Sequence, residues 1–182
     1  ILGIGAIINT IYQKELGLAP IFWICYVSMI LIGLGVLTKN YLLLLSQLNI
    51  LAIPLIFWNI DFFYILLIGK SLFGVADYFF IPEPLIGKII TTQHIFTIPL
   101  SIYALYLIKI KENFAWTISF FEVSVIFFIT RAISSPEQNI NCVFSSCMNF
   151  NAPYYPLAWF FVFFIIIFIT NFILTRINFL KM

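Results

Sequence analysis

Charge is what this sequence has least of. Asp, Glu, Lys and Arg make up 9% of its 182 residues, against about a quarter in soluble domains, which excludes an ordinary water-soluble fold. The net charge is only +2 and the basic residues are scattered. Nucleic-acid binding, which needs grouped Lys and Arg against phosphates, is therefore excluded. Histidine occurs once, and the three cysteines form no CxxC pair, so no zinc-ligand set is present and nothing calls for a metal or cofactor. The basic flank, short apolar core and small-residue cleavage site of a signal peptide are missing. So are an internal repeat and a linker, and residues 1–182 read as one integral membrane domain.

What is plentiful is apolar: hydrophobic residues are 63% of the chain. A helix needs about 20 of them to cross a bilayer, and hydropathy with helix breakers predicts about six spans, near 19–38, 41–60, 62–82, 91–108, 114–133 and 155–175. The fold class is an all-α polytopic transmembrane helix bundle. Boundaries carry polar punctuation: Lys39-Asn40, Asn59 with Asp61, Pro82-Glu83-Pro84, the Lys109 to Asn113 run, Pro136 and Arg176. ILGIGAIINTIY at the start is too short to cross. It reads as an interfacial helix or as the tail of a preceding span, the chain opening on Ile1 rather than Met.

Lys14, Lys109, Lys111, Arg176 and Lys181 fall on one side of this map, and Lys39, Lys88 and Arg131 on the other. Five against three makes the first side cytoplasmic, with both termini inside and the 134–154 loop outside. Oxidation is permitted there, so Cys142 and Cys147 are expected to close a small disulfide loop.

Ionisable side chains at membrane depth need a partner or a purpose. Lys70 on the third span and Glu122 on the fifth lie at one depth by residue count and are expected to form a structural ion pair. Nearer the outside, Asp77, His94, Ser46 and Asn49 share a level, below Arg131 and the loop residues Asn139 and Asn141. His94, Thr97 and Ser101 form an interior stripe at helical spacing. Pro54 and Pro99 would kink their helices and open an outer-half cavity. In this reading His94 is the general base and Asp77 orients it. Ser46 is the candidate nucleophile and Asn49 an oxyanion donor. Arg131, Asn139 and Asn141 would bind the ligand.

Three motifs, LLLLSQLNIL at 42–51, TTQHIFTIPL at 91–100 and QNINCVF at 138–144, resemble in order those of a YwaF-like family of polytopic membrane proteins that includes intramembrane lipid acyltransferases. The resemblance implies an acyl-transfer or hydrolytic enzyme acting on membrane lipids with His94 as base. The position matching the family's nucleophilic cysteine is Asn49, which cannot form a thioester. Two alternatives stand beside the enzyme: a small-molecule binding or transport subunit, and a structural subunit that meets other membrane subunits.

Overall fold

The computed structural model describes residues 2–12, 17–82, 84–148 and 152–181; Lys14 and Glu83, used above as a topology signal and a boundary, lie outside them. The chain is all-helical: α1 (Leu2–Tyr12), α2 (Ile24–Leu37), α3 (Tyr41–Ile68), α4 (Leu85–Thr91), α5 (Gln93–Ile108), α6 (Ala115–Ile133) and α7 (Tyr155–Leu174). Four helical stretches are long and apolar enough to cross a membrane, namely α3, α4 with α5, α6 and α7; α1 and α2 are shorter apolar helices.

Helix α3 organises the rest. Asn40 caps it, its side-chain oxygen accepting from the N–H groups of Leu42 and Leu43 at 3.0 and 3.2 Å. The helix then runs 28 residues, about 42 Å and longer than the hydrocarbon core. Every residue from Leu44 to Ala52 is buried, because α2, α5, α6 and α7 all pack around this stretch. A helix enclosed on all sides shows no amphipathic period. Gly35 lets the α2–α3 turn close: a Cβ there would meet Leu44 Cγ at 3.0 Å.

The expected 62–82 span is not a helix. Asn59 and Asp61 read as a break between two spans, yet α3 passes through both because each is satisfied in place. Asn59 donates to the carbonyls of Leu55 (2.7 Å) and His94 (3.0 Å). Asp61 is fully buried, and its carboxylate accepts from the backbone N–H groups of Leu72, Phe73 and Ala76 at 2.7, 2.8 and 2.9 Å. The helix stops at Gly69, left-handed at φ 77°. Residues 69–82 fold back with one short 3₁₀ turn, Asp77–Phe80. Trp58, Phe62 and Ala76 form the core of this return, with Phe79 packed against it.

With that crossing gone, the ends of the bundle regroup. At one end, here the Ile110 end, Lys39 and Lys111 line one cleft, and Lys111, Arg176 and Lys181 line a neighbouring one. Ile110 N–H donates to Leu180 O there at 2.7 Å. At the other, the Cys142 end, Asn141 meets Phe22 and Ile24. Lys39 thus joins the Lys109 side instead of opposing it. The expectation that both termini share a side counted 62–82 as a crossing; residues 18–24 and 178–181 lie at opposite ends. The 114–133 and 155–175 spans match α6 and α7 to within a residue.

Candidate functional site

Where α3, α6 and α7 meet, six polar side chains interrupt an otherwise apolar interior. Ser46, Gln47 and Asn49 come from α3, Ser119 and Glu122 from α6, and Asn171 from α7. All are buried except Glu122, which is partly so. Gln47 Nε2 donates to Glu122 Oε2 at 2.6 Å and to Ser46 Oγ at 3.2 Å. Asn49 Nδ2 donates to Ser119 Oγ (3.3 Å) and Asn171 Oδ1 (3.2 Å). Ser119 Oγ donates to Ser46 O at 3.0 Å, and Asn171 Nδ2 reaches Asn113 O at 2.9 Å.

These bonds trace a ladder from the exposed Asn113 at the Ile110 end, through Asn171, Asn49, Ser119 and Ser46, to Gln47 and Glu122. Its outer rung opens on a cleft of about 590 Å³ lined by Asn113, Thr175 and Arg176. Toward the Cys142 end the same three helices contribute an apolar cluster that includes Ile50, Leu51, Val123, Phe127, Trp159 and Ile167. Three acceptor oxygens in the ladder have no partner among the described residues: Gln47 Oε1, Asn49 Oδ1 and Glu122 Oε1. In a native interior nearly every such atom is hydrogen-bonded; Ser28, Trp58, Gln93, His94, Ser101 and Thr170 carry unpartnered buried atoms elsewhere among the described residues.

The expected Lys70–Glu122 ion pair is not formed. Lys70 is exposed just past the end of α3, more than 20 residues and about 30 Å along the axis from the Gln47 level. Depth by residue count failed because Lys70 was assigned to a helix that does not exist. Glu122 pairs with Gln47 instead.

The expected catalytic group is divided as well. His94 is buried as expected, as is Ser101, but its ring packs against Trp58 at 4.8 Å and its Nδ1 has no partner among the described residues. Asp77 is exposed in the return loop and accepts from Ser71 Oγ at 3.3 Å. Trp58 lies nine residues along α3 from Asn49, about 13 Å, so Ser46 and Asn49 sit on a different level from His94. Trp58 in turn stacks on Phe62 and meets Phe79 edge-on, so the imidazole sits at the margin of an aromatic cluster.

The loop residues expected to bind a ligand hold the loop itself. Asn139 donates to Ser145 O and Oγ and accepts from the N–H groups of Phe144 and Ser145, which uses its full capacity. Asn141 accepts from Ile24 N–H and donates to Phe22 O, both at 2.8 Å, and to Thr130 Oγ1 at 3.2 Å. Arg131 Nη1 donates to Val143 O at 2.6 Å and stacks over Phe144. Tyr155 O–H and Trp159 Nε1 donate to the carbonyls of Cys142 and Asn141. The Cys142–Cys147 disulfide is formed, with Cα atoms 5.6 Å apart.

Sequence reading passed over Gln47, Ser119 and Asn171. The signal was there: Ser119 and Glu122 are one turn apart on one face, and Asn171 interrupts an apolar run. Among the described residues no group of three or more His, Cys, Asp or Glu side chains could hold a metal ion. No family model, curated protein or solved structure matches this chain.

Proposed function

We propose that the chain is a membrane-embedded binding or transport subunit for a small cation, a proton foremost, with Glu122 as the site. The observation that carries this is the polar ladder from the Asn113 cleft to Glu122; apolar packing lies beyond it and must open for a cation to cross. A carboxylate inside a bilayer needs neutralising, and with Gln47 as its hydrogen-bond donor it offers one free oxygen to a proton or cation. Once protonated, Glu122 becomes a donor, and Gln47 Oε1 is an acceptor on the neighbouring side chain. The tight packing and the basic rim of the cleft favour a proton over a larger hydrated ion. The lipid-enzyme reading has less support, since its base, His94 on α5, packs at the Trp58 level of α3, about 13 Å along the axis from Asn49 and farther still from Ser46.

Proteoliposomes with a trapped pH-sensitive dye and an imposed potassium potential test this. Wild type is expected to admit protons above the rate of empty vesicles, and Glu122→Gln to fall to that background while keeping its thermal midpoint. Uptake of radioactive sodium without proton movement reassigns the cation. Neither flux, or flux unchanged in the variant, overturns the reading.

For orientation we propose the Ile110 end as cytoplasmic. Lys39, Lys109, Lys111, Arg176 and Lys181 gather there, against Lys70, Lys88 and Arg131 at the Cys142 end. With Cys25 replaced by Ser, an impermeant maleimide applied to intact reduced cells is expected to label Cys142 and Cys147. Labelling only after the cells are opened reverses the map.

A further inference from the structure

The second cleft at the Ile110 end has a different character from the ladder's mouth. It lies between the α2–α3 turn and the end of α5 and encloses about 750 Å³. Lys39, Asn40 and Lys111 supply its polar side, and Val36, Leu107 and Ile108 its apolar wall. Lys109, next along the chain, is already engaged: its Nζ donates to Phe179 O at 2.7 Å and lies over the Tyr106 ring. Lys39 and Lys111 carry no such partner among the described residues; Glu112 lines the neighbouring cleft, and its charge also reaches Tyr41 of this one.

We propose that this cleft binds the headgroup of an anionic glycerophospholipid. Two free ammonium groups complement a phosphodiester, and basic recesses between helix ends are a recurrent setting for such headgroups. The apolar wall decides for a lipid over a soluble anion. Val36 and Leu107 are 44% and 62% exposed, so the wall runs out onto the bundle surface that the bilayer covers, where acyl chains continue from the headgroup. This site does not depend on the Glu122 reading; it shares no residue with the ladder.

Native mass spectrometry of the whole protein, released from detergent containing equal amounts of phosphatidylglycerol and phosphatidylcholine, tests it. Wild type is expected to retain phosphatidylglycerol in preference by roughly thirtyfold, the effect of two lysines at a membrane surface. The Lys39→Ala/Lys111→Ala variant is expected to lose that preference, while Lys88→Ala, at the opposite end, keeps it. Inorganic phosphate should not displace the retained lipid. Equal retention of the two lipids by wild type, or an undiminished preference in the double variant, overturns the proposal. Displacement by phosphate overturns the lipid assignment in favour of a soluble anion.

Discussion

Asn141→Ala is expected to lower the thermal midpoint more than any other single change in the 134–148 loop. The side chain is 5% exposed and joins three elements: the Phe22–Ile24 approach to α2, Thr130 on α6, and the loop itself. Truncation leaves the part-buried Ile24 N–H and Phe22 O without their partner, at about 1–1.5 kcal/mol each, the low end for orphaned groups. The backbone adds to this. Asn141 is left-handed at φ 55°, a conformation Asn tolerates and Ala adopts at a penalty of roughly 1–2 kcal/mol. Together these give about 3–5 kcal/mol, or a fall of around 10 °C in a chain of this size. Asn141→Gly separates the two contributions, since it removes the bonds and relieves the strain, and it should lie between wild type and Ala. Differential scanning fluorimetry in detergent reads all three proteins. If Ala and wild type melt together, Asn141 does not hold the loop.

That result would also change what the polar loop means. Two asparagines and a cysteine pair above a greasy bundle suggested a ligand mouth. Their chemistry was not legible, because the partners of Asn141 lie 117 and 119 residues away in sequence. The disulfide was legible because its partners are near neighbours and compartment logic links them. The same division runs through the fold. Helices α6 and α7 were readable because polar residues and prolines punctuate their ends in the sequence. The 41–68 helix was read as two spans because Asn59 and Asp61 look like an interface, and only tertiary structure supplies their buried partners. That one misjudged break displaced Lys70 and Asp77 into a helix and reversed the side of Lys39. It also assembled a catalytic group from residues on different levels. The polar ladder was half visible: Ser46, Asn49 and Glu122 were singled out, but each was matched with the wrong neighbour.

Asp61 is where that misreading can be tested most sharply. Replacing it with Ala should release the 69–80 return while leaving α3, α6 and α7 assembled. Its carboxylate gathers the N–H groups of Leu72, Phe73 and Ala76, and a hydrogen bond to a charged acceptor contributes about 1.5–3 kcal/mol. Ala76 is fully buried, so its freed N–H has no water to turn to unless the segment opens. Opening is then resisted by side-chain contacts, among them Phe73 against Phe57, Phe79 against Trp58 and Phe62, and Lys88 over the Phe79 ring. The loss should therefore be local. Amide exchange at residues 71–76 is expected to accelerate by about 10²–10³-fold, each tenfold corresponding to ~1.4 kcal/mol of opening free energy. Asp61→Asn should do nearly as much harm, since its –NH₂ group would face an N–H donor where an oxygen now accepts. Hydrogen exchange with mass spectrometry on both variants distinguishes this from a general collapse. Unchanged protection across 71–76 would mean that the side-chain contacts of the return hold it without the carboxylate. Loss of protection throughout α3 would mean that the carboxylate supports the central helix as well, and that the return and the bundle unfold as one unit.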